Sequence, residues 1–160
     1  MNSDDSFKED ADCTMDDCLR IHFQEEKVDD WNCEHCSQKT TGLKKLDLWR
    51  LPSILIIHLK RFVEDPKYGV WTKLDTFVDY PVDSFDLSPF TLGVENFSKY
   101  ELFAVSNHFG STDSGHYTAF CKRGEKWYHF DDELTTPIEK LKDLVTKDSY
   151  LLFYRKIKSE

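Results

Sequence analysis

His116 and Asp131 are the residues whose types and spacing point most directly to chemistry. They lie in Gly115-His116-Tyr117-Thr118-Ala119-Phe120 and Trp127-Tyr128-His129-Phe130-Asp131-Asp132, two strand-like runs on either side of Arg123-Gly124. A hairpin that turns at Arg123-Gly124 sets His116 directly opposite Asp131, where facing Cβ atoms are about 4.5–5.5 Å apart. A carboxylate held against one imidazole nitrogen fixes the tautomer and stabilises the imidazolium. The other nitrogen is then free to activate a nucleophile. The plain alternative is a cross-strand polar pair with no catalytic task. Gly110 and Ser111-Thr112-Asp113-Ser114-Gly115 form a polar loop before His116, and Asn107 and His108 close the strand before that loop, a placement typical of active-site borders.

Such a pair needs a thiol or hydroxyl to act on. Cys121 is an odd number of residues beyond His116 in the same run, so the two point to opposite faces. Cys18 falls on the apolar face of an expected helix. Cys13 stands among Asp10, Asp12, Asp16 and Asp17, which disfavour its thiolate. The serines of 111–114 carry no supporting motif. Cys33-Glu34-His35-Cys36 has the gap that brings two thiolates to one zinc ion, but a tetrahedral structural site takes four ligands. Cys33 and Cys36 are therefore half a site, and the sequence has no second CxxC. The chain reads as a base and its orienter without their nucleophile.

The elements that must position these residues follow from periodicity. Met15, Cys18, Leu19, His22 and Phe23 share one face of a short helix, which Asp12 or Thr14 would cap. From Leu43 onward strands take over. Leu46, Leu48 and Arg50 alternate with Asp47 and Trp49. Ile54 to Leu59 is apolar on both faces and reads as a central buried strand. Lys73 to Tyr80 is a further strand, residues 83–99 are loop-like, and Tyr100–Phe109, His116–Lys122, Lys126–Asp131 and Tyr150–Lys156 are strands. A helix is expected from Ile138 to Val145. The order gives an α+β fold with a mostly antiparallel sheet.

The 160 residues carry a formal net charge of −9, which argues against a nucleic-acid partner. Seven acidic side chains fall within residues 1–18 against the single Lys8, so residues 1–14 are expected to be an acidic leader without fixed structure, followed by one domain over 15–158. No apolar run approaches membrane-spanning length, and no secretory signal is expected at the N-terminus. With an odd number of cysteines, reduced thiols and an intracellular, most simply cytoplasmic, setting are expected, the nucleus not being excluded.

Several runs together resemble the ubiquitin-specific proteases, papain-like cysteine peptidases. Leu55-Ile56-Ile57-His58-Leu59-Lys60-Arg61-Phe62 resembles their LxxHLKRF strand, and Val105 to Gly110 with Ser114 to Phe120 resembles their histidine box. Trp127 to Asp132 is similar to the box of the third catalytic residue, and Tyr150-Leu151-Leu152-Phe153-Tyr154 to the closing strand. Asp17-Cys18-Leu19 and Trp31-x-Cys33-x-x-Cys36 fit in order. The resemblance implies the C-terminal half of a catalytic domain, the β palm and part of the fingers, with the thumb half missing. It implies His116 as general base, Asp131 as orienter and Asp132 as a supporting neighbour. Asn107, His108, Ser114 and Gly115 would border the channel for the ubiquitin tail. Cys33 and Cys36 would be the second half of a structural zinc site, with no cofactor for catalysis. The partners implied are ubiquitin, ubiquitinated proteins and the absent N-terminal half-domain, with hydrolysis after the ubiquitin C-terminal glycine. The family's cysteine box and first CxxC are absent, so the chain alone is expected to be inactive. The alternative is a truncated, non-catalytic member that binds ubiquitin or another protein.

Overall fold

The helix expected at Met15 is present in the computed structural model, which describes residues 13–93 and 99–157. Strand β1 (Cys13–Thr14) runs directly into α1 (Met15–His22). Thr14 rather than Asp12 caps it. Its Oγ1 accepts the Asp17 amide, and the Asp17 carboxylate accepts the Thr14 amide, a reciprocal box that satisfies two otherwise unpaired N–H groups. Met15 is buried, Cys18, Leu19 and Phe23 pack against the core, and Asp16, Asp17 and His22 face solvent.

Beyond α1, the regular structure of the described residues is strand apart from two 3-10 turns. β2 (Glu26–Asn32) and β3 (Lys39–Lys44) form a separate hairpin. β4 (Ile54–His58) follows, then the small hairpin β5 (Phe62–Glu64) and β6 (Trp71–Lys73). β7 (Val78–Asp79) pairs in parallel with β1, and β8 (Phe85–Asp86) pairs with the start of β9 (Lys99–Gly110). β10 (Gly115–Arg123), β11 (Lys126–Asp131), β12 (Leu134–Ile138) and β13 (Ser149–Lys156) complete the set. The main sheet runs β12-β11-β10-β9-β13-β4, with every pairing in it antiparallel.

Several expectations are corrected. The Ile54–Leu59 run is an end strand of the sheet, with Ile54 and Ile56 about half exposed at 49% and 56%. Its other face, Leu55 and Ile57, packs against the core. An apolar run shows that a strand can be covered on both faces, but its place in the sheet depends on long-range pairing. Residues 46–50 form no strand beyond a bridge from Leu48 to Thr91. Lys73 to Tyr80 is divided between β6 and β7. The expected helix from Ile138 is a single 3-10 turn, Leu141–Leu144, preceded by β12. Pro137 is tolerated in β12 because that strand is a sheet edge. Residues 83–99 hold β8 and a 3-10 turn at Ser88–Phe90. Among the described residues the architecture is thus mostly β with one α-helix. Residues 1–12 of the expected leader and residue 158 lie outside the described residues, whereas Cys13 and Thr14 form β1.

The core lies where β9 and β13 pair. Tyr100, Leu102, Val105, Leu152 and Tyr154 are fully buried there, and Phe85, Leu87 and Tyr80 close it. The buried phenols all find acceptors, as burial requires: Tyr154 donates to Pro81 O (2.8 Å), Tyr100 to Pro52 O (2.6 Å) and Tyr80 to Leu144 O (2.7 Å). Burial pushes the Tyr80 hydroxyl up to about 12.

Arg61 ties the β4–β5 link to the rest. It is buried, and its guanidinium donates to Ser149 O (2.7 Å), Leu74 O (3.0 Å) and Thr76 O (2.7 Å). An Arg61→Met substitution leaves three carbonyls without their donor and is expected to lower the unfolding free energy by about 3–5 kcal/mol. The shift of the urea midpoint at constant m-value measures this.

Candidate active site

β10 and β11 bring His116 and Asp131 together. The turn between them is Gly124-Glu125, not Arg123-Gly124, because Gly124 takes the left-handed φ of +60° at the first turn position. The register is therefore Arg123↔Lys126 through Ala119↔Phe130, two residues from the expected alignment. The next step of that register would set Thr118, not His116, level with Asp131. A slip of two preserves the face, and a diagonal neighbour remains within reach of two long side chains. His116 Nε2 accordingly meets Asp131 Oδ1 at 2.5 Å.

The two side chains are partly open to solvent, at 48% and 41% exposure. Asp132, at the turn into β12 with φ of +47°, completes a cluster in which all three ligand-type atoms lie within 4.8 Å. The Asp131 hydrogen bond raises the His116 pKa above its ordinary value; desolvation opposes it, and the charges of Asp131 and Asp132 add to the rise. Because the pKa is raised on folding, the pair's contribution to stability is full below the ordinary value and is lost as pH rises through the folded one. Solvent screening keeps that contribution small. An NMR titration of the imidazole should show the raised midpoint, and Asp131→Asn should return it toward the ordinary range. A midpoint that Asp131→Asn leaves in place would contradict the pairing.

With Asp131 on Nε2, Nδ1 is the nitrogen left for proton transfer. None of the five cysteines joins the cluster at His116. Cys121 is on β10 beyond it, its thiol pushed up by burial. Cys13 and Cys18 lie at the start of α1.

Beside the His116 strand runs a groove of about 690 Å³. The turn Ser111 to Gly115, closed by the Ser111 amide on Ser114 O at 2.9 Å, forms one wall. Phe62, Val70 and Trp71 of the β5–β6 hairpin form the other. His108 and Tyr117 are cross-strand partners on its floor, with ring centroids 4.7 Å apart. Of the expected tail-channel residues, His108, Ser114 and Gly115 line the groove. Asn107 does not: it is fully buried on the opposite face of β9, and neither of its side-chain polar atoms has a partner among the described residues. Sequence reasoning missed Tyr117, Phe62 and Trp71. The signal was there for Tyr117, an exposed aromatic beside His116.

His108 itself is held from below. Lys73 Nζ donates to His108 O at 2.6 Å and lies 3.5 Å from Asp148 Oδ1. Burial, and then the Lys73 charge, lower the His108 pKa, so its ring is a neutral part of the floor near neutral pH.

Cys33 and Cys36 sit at the β2–β3 turn. The Cys36 amide, the Cys36 thiol and the His35 amide hold the Cys33 thiol below its ordinary pKa, which suits a ligand. A zinc site nevertheless needs two more donors, and among the described residues no His, Cys, Asp or Glu completes a cluster with this pair. The residues present do not fit a whole zinc site.

Known proteins resemble the chain over most of its length. The chain is 43% identical over 149 residues to ubiquitin carboxyl-terminal hydrolase 10 of Arabidopsis thaliana, and 40% identical over 150 residues to ubiquitin carboxyl-terminal hydrolase 15 of Homo sapiens. In each case 89% of the chain is covered, but only 16% and 15% of the relative. Among solved structures, the SAGA Ubp8/Sgf11/Sus1/Sgf73 DUB module bound to ubiquitin aldehyde superimposes with a TM-score of 0.79 at 28% identity. The same kind of module bound to monoubiquitin gives 0.78 at 30%. Each match covers 93% of this chain and 36% of the solved one. With the ubiquitin carboxyl-terminal hydrolase family model matching residues 1–154, the chain belongs to that family.

Proposed function

We propose that this chain supplies the general base and its orienter to a deubiquitinating cysteine protease, with the nucleophilic thiol contributed by residues outside the 160. The observation that carries this is the His116 Nε2–Asp131 Oδ1 bond, which holds the ring with Nδ1 free. In the proposed reaction His116 Nδ1 takes the thiol proton as sulfur attacks the carbonyl of the ubiquitin C-terminal glycine. The proton passes to the departing amine, and a water then hydrolyses the thioester with His116 again as base. Asp131 stabilises the imidazolium throughout, and Asp132 adds negative charge nearby.

The groove between Ser111–Gly115 and the β5–β6 hairpin is assigned to the extended ubiquitin tail. Tyr117 of its floor is the residue next to His116 on β10, so the groove borders the strand that carries the base. In this reading the main sheet is the palm, the β2–β3 hairpin belongs to the fingers, and a thumb from outside the chain brings the thiol. The five unpaired cysteines suit a reducing, cytoplasmic setting.

The test is hydrolysis of ubiquitin joined to a fluorogenic amine. The 160-residue chain alone is expected to give no turnover, and a protein that joins it to the nucleophile-bearing half is expected to be active. Turnover by the chain alone would overturn the assignment of the thiol. An active His116→Ala variant of the longer protein would overturn the assignment of the base.

A further inference from the structure

We infer that Cys13 and Cys18 form a reversible disulfide that clips the start of α1. With Thr14 as N-cap and Asp17 as the third helical residue, Cys13 and Cys18 occupy the two positions that form a hydrophobic staple, one just before the cap and one in the fourth helical place. Here the staple is made of sulfur. The two Sγ atoms are 3.9 Å apart, in van der Waals contact, and a bond requires each to move by about 1 Å.

The surroundings hold both partners still. The Cys13 amide donates to Phe77 O at 3.1 Å, and β1 is paired with β7. The capping box fixes the turn between the two cysteines. Cys18 packs against the core and lines the apolar groove between α1 and β4, with Leu19, Leu55 and Ile57. Neither cysteine is a fully buried residue. The other thiols are placed differently: Cys33 and Cys36 are at the remote β2–β3 turn, and Cys121 is on β10.

The oxidant is a low-molecular-weight disulfide such as oxidised glutathione. Cys13 sulfur attacks one glutathione sulfur, forms the mixed disulfide and releases one glutathione thiolate. Cys18 sulfur then attacks Cys13 sulfur, the Cys13–Cys18 bond forms, and the second glutathione leaves. The two thiol protons end on the two glutathiones, and the two electrons have reduced one oxidised glutathione. Burial first, and then the neighbouring Cys13, push the Cys18 thiol up to about 11, so its thiolate is scarce and its attack in the second step relies on its contact with the Cys13 sulfur. Closure ties β1, and through it β7, to the helix that lies along the inner face of β4.

Asp-N digestion after oxidation and thiol blocking reads the outcome, because Asp16 and Asp17 lie between the two cysteines. The expected product joins the peptide ending at Met15 to the one beginning at Asp17, is lighter than the two reduced peptides by two hydrogens, and is split by dithiothreitol. Cys13→Ser should abolish it and leave any Cys33–Cys36 cross-link in place. Recovery of Cys13 and Cys18 as blocked thiols, or as stable glutathione adducts, under conditions that oxidise Cys33 and Cys36 would overturn the proposal. The wild-type digest decides this even if the variant does not fold.

Discussion

In the longer protein, Asp131→Asn is expected to lower kcat/KM for a ubiquitin–dye substrate by about 10³–10⁴-fold. The reason is specific to the geometry. Asp131 Oδ1 accepts from His116 Nε2, which places the base lone pair on Nδ1. An asparagine can present its amide N–H there instead, stabilising the opposite tautomer and leaving the imidazolium without a counter-charge. The loss should fall mainly on kcat, since Asp131 is not a groove residue. Asp132→Asn is the internal comparison. Asp132 acts on His116 only through its charge, so its loss is expected to cost about tenfold or less. Equal losses at the two positions would reverse this assignment of roles, and a fully active Asp131→Asn would remove Asp131 from the mechanism.

The second large effect is expected at Gly115, where the groove and the His116 strand meet. A Cβ at this position would lie 2.2 Å from His108 Nε2 and 2.6 Å from Phe109 O. The ring is held between Phe62 and Tyr117, and the carbonyl belongs to the β9 backbone, so neither gives way freely. Gly115→Ala is therefore expected to lower stability by about 1–3 kcal/mol, the usual cost of overpacking. It also moves His116, the next residue, and a displacement of about 1 Å at a catalytic group costs on the order of 100-fold in rate. Urea unfolding and the imidazole titration read the two effects separately. Gly124→Ala serves as control: its Cβ would meet nothing within 4 Å, and only the φ of +60° is strained. About 1 kcal/mol is expected there, with no change in the His116 midpoint. If Gly124→Ala shifts His116 as far as Gly115→Ala does, the local clash is not the cause.

The difference between these two glycines shows where sequence reading stops. Both stand at strand ends and look alike in the chain. Gly124 is required by a local dihedral angle, whereas Gly115 is required by a side chain on the neighbouring strand.

The sequence by itself determined the elements governed by local rules. α1 follows from the spacing of Met15, Cys18 and Leu19 and from Thr14 three residues before Asp17. The strands at β9, β10, β11 and β13 follow from alternation, and the partnership of His116 and Asp131 from parity, since any even-length turn keeps both on one face. Parity survived the wrong turn position, so the pair was found although its alignment was two residues off.

Tertiary structure alone decided what depends on partners distant in the chain. The turn at Gly124-Glu125 set the diagonal contact. Pairing with β13 only put the apolar β4 at the end of the sheet, and pairing with β11 drew Leu134–Ile138 into a strand rather than a helix. The groove wall from Phe62 and Trp71 comes from a hairpin about fifty residues before His116, a distance over which no periodicity carries information. Asn107 shows the same division at one residue. Its position beside His108 suggested the channel, but successive side chains on a strand point to opposite faces, and the packing of the sheet put Asn107 in the interior.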